Sequence, residues 1–542
     1  MPSTLAQVLV ARLDRLPSVR KRIVQTAAVL GQSFAPALLQ AMLPDVTDWA
    51  NQLATGCQEK LWVAPDAAHG DYTFYHGLLR DAAYDMQLRA QLRTLHQQAG
   101  AAMEQLYWDN LSTHAASLAY HYDQAERAER ALYWYEQAAG HAAERYANDD
   151  ALRYYGRGLT LALPHDVSGQ VRLLLGREAV HDLVGRRAEQ QRDLAQLAAL
   201  AAEVFPSSTK IEILVRRSNY ARRRGDFAPA VEFAAQAMGL EGETTPAGLV
   251  ARVQQSLARA IWKQGDYEKA RNHLQRALQL AEAADDQEIA AQSYMDMGSL
   301  ALHQGDLHHA RAAYLASLAA YRRLQAHKGE VGALAMLGTV CNESRDFAGA
   351  LDHYLEALTL CRTMGYQYGE QFVTANLGVN YLHMGDYATA LHYQQRSLAN
   401  KRRSGERAAE ATVLSSLALI YLHTGQERQA LTHCMDAVTI QRECSDRHGL
   451  GYSLTYLGHI HAACHEWAQA AQAYREALEV RYALGEQSLA MDTLAGLAHV
   501  MAAQHEDAAA LTYVDEILDW LAKNGDDGIE FPIQLYWHCY QA

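Results

Sequence analysis

The sequence repeats a short motif every forty residues, and this period constrains the fold more than any other feature. In its clearest form the motif is Gly-Asp-aromatic followed by an alanine, as in Gly265-Asp266-Tyr267 with Ala270. Related copies keep the same spacing: Gly225/Ala230, Gly305/Ala310, Arg345/Ala350, Gly385/Ala390, Gly425/Ala430, His465/Ala470 and His505/Ala510. A fixed period of this size is typical of arrays in which one supersecondary unit is stacked many times.

Each repeat predicts two helices joined by a tight turn. Apolar residues recur at three- and four-residue steps before the turn, as in 253–261, and after it, as in 270–280. We expect Gly265 to end the first helix in a left-handed conformation, and Asp266 to cap the second. Such an array lets a 542-residue chain fold without a single core, because each repeat is expected to contact only its neighbours.

Small residues hold a second fixed position, twelve residues before the alanine of each repeat. They are Ala258, Gly298, Gly338, Gly378, Ala418, Gly458 and Ala498. A small side chain here predicts close approach of the two helices of a unit. Together the two patterns resemble the tetratricopeptide repeat family across residues 208–523, although that family usually has a period of about 34 residues. The resemblance implies an all-α, right-handed superhelix of helix hairpins.

Residues 1–108 break the repeat. The periodicity predicts helices at 4–16, 19–30, 35–42 and 46–60, then a β-hairpin of 61–64 and 72–75 around a turn at 65–70, and a long helical stretch at 77–107. This order is that of a small winged-helix domain. The predicted divisions are a winged-helix domain with its connecting helix at 1–108, irregular helix hairpins at 109–207, regular repeats at 208–523 and an incomplete terminal repeat at 524–542.

Several short runs in the N-terminal part carry a second resemblance. They are Arg12-Leu13-Asp14-Arg15-Leu16-Pro17, the segment Ala27–Phe34, Phe74-Tyr75-His76, the segment Arg80–Tyr84, and Arg93 with Leu95-His96. This series resembles the segment that follows the nucleotide-binding core in bacterial signalling ATPases of the AAA/STAND type. The resemblance implies the order NTPase core, winged helix and tetratricopeptide array. It also implies a sensor arm, in which a bound ligand changes the curvature of the array and moves the winged helix against a core in cis or in trans.

The phosphate loop of such ATPases is absent from the sequence. No G-x-x-x-x-G-K-[ST] motif occurs, so we predict neither ATP hydrolysis nor a nucleotide cofactor. No catalytic triad, paired-carboxylate site or metal-ligand spacing stands out either, and His76 and His96 are most simply structural side chains. Because the core is missing and the last segment lacks a partner helix, we expect the chain to be a piece of a longer protein.

Charge and cysteine content narrow the function further. The net charge of −14 argues against nucleic-acid binding, which depends on Lys and Arg neutralising phosphates. The seven cysteines are odd in number and lack CxxC spacing, which favours a reducing cytoplasm. No apolar run approaches about eighteen residues, so no membrane partner is expected.

The predicted partner is a protein or peptide held on the concave side of the superhelix, which the first helix of each unit should line. Candidate contact positions on these helices are Arg252, Gln255, Arg259, Asn342, Asn376 and Tyr452. Three histidines share one repeat phase, two residues before the turn: His303, His383 and His423. We expect them to form a polar contact row on the inner surface or to be solvated.

Two alternative functions remain open on the sequence. The first is a transcription regulator that contacts DNA through the winged helix. Its presumed recognition helix at 46–60 contains Asp48 and Glu59 but only Lys60 as a cation, whereas groove readers need cations for phosphates and donors for bases. The second is an ATPase-associated enzyme with an unrecognised nucleotide site, for which no residue pattern speaks.

Overall fold

The structure is a computed structural model and describes residues 3–65, 70–204, 206–525 and 529–541. The chain forms two compact units, Met1–Val180 and His181–Ala542. Regular structure is almost entirely helical in both, as the repeat pattern predicts. The domain boundaries drawn from the sequence stay predictions.

The first unit begins with short helices around a small sheet and continues as helix hairpins. Its helices are Ser3–Asp14 (α1), Ser18–Leu30 (α2), Pro36–Met42 (α3), Trp49–Gln58 (α4), Gly77–Asp85 (α5), Arg89–Leu106 (α6), Leu111–Gln124 (α7), Ala128–Glu144 (α8) and Asn148–Leu161 (α9), with Val167–Val184 (α10) running across the unit boundary. Two expectations were wrong in extent. The helix predicted at 46–60 is limited to α4, and the helical stretch predicted at 77–107 is interrupted between α5 and α6.

The sheet of the first unit has three antiparallel strands, Ser33–Phe34 (β1), Trp62–Val63 (β2) and Tyr72–Phe74 (β3), in the order β1-β3-β2. The pairing of Trp62 with Phe74 confirms the predicted hairpin, whose turn includes residues 66–69 outside the described part. Strand β1 was not predicted, because two residues carry no alternation signal. The rings of Phe34, Trp62 and Phe74 form the centre of the core at 5.5–6.4 Å, and the Trp62 indole donates a hydrogen bond to the Leu53 carbonyl.

The second unit is a continuous run of paired helices. They are Arg187–Val204 (α11), Ser207–Arg224 (α12), Phe227–Gly239 (α13), Ala247–Ile261 (α14), Tyr267–Ala283 (α15), Gln287–His303 (α16), Leu307–Arg323 (α17), His327–Glu343 (α18), Phe347–Met364 (α19), Gln367–His383 (α20), Tyr387–Ser404 (α21), Arg407–His423 (α22), Glu427–Cys444 (α23), Arg447–Ala463 (α24), Trp467–Leu484 (α25), Gln487–Ala503 (α26), Asp507–Asn524 (α27) and Pro532–Gln541 (α28). A 3-10 turn, Trp262–Gln264, extends α14.

The turns inside the repeats follow the sequence prediction closely. Each motif glycine has a positive φ, for example 93° at Gly265 and 80° at Gly385. The next residue is an aspartate after Gly265, Gly305 and Gly385, and also after Arg345, which has a φ of 60°. This aspartate caps the second helix by accepting a backbone N–H three residues later at 2.9–3.2 Å, in Asp266, Asp306, Asp346 and Asp386. Asp226 is the exception, since it makes no cap hydrogen bond and pairs with Arg224 at 3.4 Å instead.

The small residues of the repeat face the second helix of the same unit, as predicted. A Cβ at the glycine of three units would lie only 2.4–2.7 Å from a tyrosine ring: Gly298 against Tyr314, Gly338 against Tyr354 and Gly458 against Tyr474. Units with alanine at this position have a smaller residue opposite, in the pairs Ala258/Leu274, Ala418/Cys434 and Ala498/Val514. The volume removed from one helix is therefore occupied by the other, which keeps the interface closely packed.

The expectation that each repeat contacts only its neighbours was wrong. Arg187 lies 3.4 Å from Glu406, and the Tyr267 hydroxyl donates to Glu486 at 3.0 Å, each pair separated by 219 residues, or about five and a half units. A Cβ at Gly225 would lie 2.6 Å from the Cys444 sulfur. The second unit is thus a superhelix wound tightly enough for successive turns to touch.

Candidate functional site

The first helices of the repeats line the inside of the superhelix. First helices of adjacent units pack against one another along the whole array, from α12 with α14 to α24 with α26. Buried side-chain hydrogen bonds join them at a constant separation of 38 residues, as between Ser415 and Ser453 at 2.6 Å and between Thr455 and Thr493 at 2.8 Å. This layer is the candidate site, because it is continuous, curved and rich in polar side chains.

Three of the predicted contact residues line one cleft of about 360 Å³ between α14 and α16: Arg252, Gln255 and Arg259. Gln255 is buried and donates to the Ile289 carbonyl at 3.0 Å, and Arg259 pairs with Asp296 at 2.7 Å. Both therefore hold neighbouring helices together. Of the described residues that line the cleft, Arg252 is the one exposed cation.

Three others line a second cavity of about 320 Å³, which we call the inner cavity: His303, His383 and Tyr452. The His303 ring lies 4.5 Å from the ring of His448, and His383 packs between Phe347 at 6.1 Å and Phe531 at 5.8 Å.

The expectation of solvated side chains was wrong for His303 and His383, which are half-buried. Burial lowers the pKa of both, to about 4 for His383, so they are neutral near pH 7. The exposed His423 packs on Tyr387 at 5.4 Å and does not line this cavity.

The two asparagines among the predicted contact residues line neither of these openings. Asn342 is only 6% exposed, and its Oδ1 has no hydrogen-bond partner among the described residues. It is therefore a core residue of α18 in this state and not a solvent-facing contact. Asn376 is half-buried on α20.

An acidic group in the inner layer was missed by the sequence reading. Glu343 and Glu530 line the inner cavity, and the buried Asp492 accepts the Glu530 backbone N–H at 2.6 Å. Burial raises the pKa of Glu343 and Asp492 to about 7 and that of Glu530 to about 8. Repulsion from neighbouring carboxylates is a smaller cause for Glu343 and Glu530. These residues lie up to 187 positions apart (530 − 343) in the chain, so no local pattern could have marked them.

Arg481, whose charge acts on Asp492 and Glu530, is already engaged by other groups. Arg481 is 1% exposed, lies 4.6 Å from the centre of the Tyr452 ring and 3.3 Å from Glu486. Glu486 also accepts from His448 at 2.6 Å and from Tyr267. The network thus ties the wall of the inner cavity to the contact between superhelical turns.

Other kinds of site find less support in the structure. Among the described residues no group of three or more His, Cys, Asp or Glu side chains is placed to hold a metal ion. His96 is buried and hydrogen-bonds to Tyr84 and His121 at 2.9 Å, which confirms the expected structural role. Within the described ranges no helix is both long enough and apolar enough to span a bilayer.

Comparison with known proteins gives one family match and several distant likenesses. Residues 249–323 and 370–443 match the family model of the tetratricopeptide repeat. An uncharacterized protein of Rhizobium meliloti (strain 1021) is 28% identical over 165 residues, which are 29% of this chain and 16% of that protein. The match thus spans about a sixth of the relative.

Solved structures with similar helical arrays have low sequence identity. A Rap protein complexed with competence and sporulation factor is 15% identical, with a TM-score of 0.49 over 68% of this chain and 99% of that one. A signal transduction ATPase with numerous domains and a tetratricopeptide repeat sensor, from Pyrococcus horikoshii, is 13% identical, with a TM-score of 0.37 over 87% and 64%.

The repeated helix hairpins, the glycine-aspartate turns and the two family-model matches agree with one another. Together they identify the array in the second unit as an all-α superhelix of tetratricopeptide repeats.

Proposed function

We propose that the second unit binds an extended protein or peptide segment on the inner layer of first helices. The observation that carries the proposal is the pair of openings in this layer, the Arg252 cleft and the inner cavity, each lined by side chains from several repeats. Backbone groups of the helices are satisfied internally, so recognition falls to these side chains. An extended surface built from several units is the usual means by which solenoids bind macromolecules.

A pair of matched variants tests where the partner binds. Thr412 and Thr432 are both exposed, and each donates its hydroxyl to a carbonyl four residues earlier. Thr412 lines the inner cavity on a first helix, whereas Thr432 lies on the second helix of the same unit. Random dodecapeptides selected on the wild-type chain should therefore lose binding to Thr412→Trp but not to Thr432→Trp. Equal loss in both variants, or in neither, would refute the assignment to the inner layer.

We further propose that this module is the sensor arm of a signalling ATPase whose nucleotide-binding core is outside this chain, with residues 1–108 forming a winged helix that acts on the core. The order of helices followed by the β2–β3 hairpin supports this reading, as do the sequence runs described above. The test is the ATP hydrolysis rate of the cognate core with this chain and with the chain lacking 1–108. Identical rates with and without 1–108 would refute the role of the winged helix.

The DNA-binding alternative gains no support. Helix α4, the presumed recognition helix, contains no Lys or Arg, and Glu59 next to it is paired with Arg20 at 2.7 Å. A DNA titration at several salt concentrations would separate the two ideas, because phosphate contacts impose a steep salt dependence.

A further inference from the structure

The inner cavity of the second unit is lined by more acidic than basic side chains, and peptide binding in general does not require this. Side chains from opposite sides of the superhelix line it, and the ionisable acids among them are Glu343, Asp446 and Glu530. Among the described residues, Lys263 is the one Lys or Arg side chain that lines it, and its Nζ donates to His303 Nε2 at 3.2 Å. Since His303 and His383 are neutral, the cavity has an excess of negative charge whenever the acids ionise.

Glu343 and Glu530 are half-buried, and their carboxyl groups have few partners within the described residues. Glu343 makes no ion pair or hydrogen bond within the described residues, and Glu530 accepts a side-chain hydrogen bond from the Tyr456 hydroxyl alone. Asp492 and Tyr452 also face them, and Arg481 lies close by but is bound to Glu486. Arg345 is near Asp492 as well. Burial and mutual repulsion raise the pKa of Glu343 and Glu530 well above the usual value.

A second, independent feature of the cavity is a buried acceptor that lacks a hydrogen-bond donor. Gln441 is 1% exposed and lines the same cavity, yet its Oε1 has no hydrogen-bond partner among the described residues. A buried amide oxygen without a partner loses the hydrogen bonds it had to water, which is costly. A ligand that brings N–H groups would satisfy this oxygen and the two carboxylates together.

We infer that the inner cavity binds an ammonium or guanidinium group, carried by a lysine or arginine of the bound segment or by a free amine. The inference rests on the proposed function, since it names the chemistry of a partner on the same inner layer. Such a group supplies several N–H donors and one positive charge, which match carboxylate acceptors and an amide oxygen.

Calorimetric titration of the full chain with n-butylguanidinium and n-butylammonium tests the inference directly. A second arm uses a peptide selected on the wild type and a copy in which its Lys or Arg is replaced by norleucine. The double variant Glu343→Gln/Glu530→Gln should bind the cations and the charged peptide at least about tenfold more weakly, because it loses charge-assisted hydrogen bonds. Glu479→Gln, an exposed change on a second helix, is the matched control and should bind as the wild type does.

Proton linkage gives a readout that a purely structural role would not move. Cation binding favours ionised carboxylates, so affinity should rise between pH 6 and pH 8.5. Protons should also be released at pH 7, seen as a binding enthalpy that differs between phosphate and MOPS buffers, neither of which contains a primary amine that would compete for the site. The Gln variant should lose both effects.

Four outcomes distinguish the possibilities. Tight binding of the peptide but not of the small cations assigns the charge to a macromolecular partner, and binding of both assigns it to the cation itself. If the norleucine peptide binds as well as the charged one and the Gln variant is indistinguishable from wild type, the inference is wrong while the proposed function stands. If no peptide binds the inner layer at all, the proposed function fails instead.

Discussion

Replacing Gly338 by alanine should destabilise the protein, although alanine is the better helix former. A Cβ at this position would lie 2.6 Å from Cε1 and 2.9 Å from Cδ1 and Cζ of Tyr354. Tyr354 is 1% exposed and its hydroxyl is 3.2 Å from that of Thr339, so the ring cannot move without disturbing a packed cluster. Overpacking of this kind costs about 1–3 kcal/mol, and the helix preference of alanine returns about 1 kcal/mol. The net loss of unfolding free energy should therefore be up to about 2 kcal/mol.

The same helix contains a matched control. A Cβ at Gly332 would meet only Met295 Cε, at an ordinary 3.5 Å, so Gly332→Ala should raise the unfolding free energy by up to about 1 kcal/mol. Tyr354→Leu combined with Gly338→Ala recreates the Ala258/Leu274 pair of another unit, and the double mutant should be more stable than additivity predicts by about 1–2 kcal/mol.

Urea unfolding followed by circular dichroism measures five proteins: the wild type, the single variants Gly338→Ala, Gly332→Ala and Tyr354→Leu, and the double mutant. A constant dependence of the free energy on urea concentration checks that the five transitions are comparable. If Gly338→Ala and Gly332→Ala have the same sign, or if the double mutant is strictly additive, the argument from close helix approach is refuted.

Three further predictions concern stability. Glu343 and Glu530 have folded pKa values of about 7 and 8, above the usual 4.5, so their contribution to stability is complete below about pH 4.5 and is lost progressively as pH rises to about 8. Melting temperatures should therefore fall between about pH 5.5 and pH 8 and then level off, and they should fall less in the Gln double variant. Asp386→Ala removes a helix cap and should cost about 1 kcal/mol in urea unfolding, whereas Gln426→Ala, at the equivalent position without a cap bond, should cost little. His505 has a φ of 64°, so His505→Gly should raise the midpoint by an amount equivalent to about 0.5–1 kcal/mol, and a lowered midpoint would contradict this reasoning.

The sequence predicted what depends on local interactions. The turn at Gly265 and Asp266 needs only a left-handed residue and a capping carboxylate, and both are visible in the sequence as a motif. The close approach at Gly338 was equally predictable, because its partner Tyr354 is sixteen residues away in the same unit. Strand β1 was missed, since it is held by pairing with β3 and not by a pattern of its own.

The roles of side chains in the inner layer of first helices were less predictable, for a physical reason. Gln255 and Arg259 lie on a first helix as expected, but the structure uses them to join adjacent repeats. The rotation of one unit relative to the next decides whether a polar residue contacts the adjacent repeat or lines an opening of the inner layer. The acidic group of Glu343 and Glu530 depends on the superhelix returning on itself, which no repeat encodes alone.

The contacts between successive turns limit how anything reaches the inside. An open solenoid can receive a partner sideways into its groove. Here Arg187 contacts Glu406 and Tyr267 contacts Glu486, so successive turns of the superhelix are joined by side-chain contacts. A long chain must either enter along the superhelix axis or first break these contacts between turns. Glu486 also holds His448 and Arg481 at the wall of the inner cavity. Breaking the contacts between turns would therefore loosen the surface that we propose binds the partner.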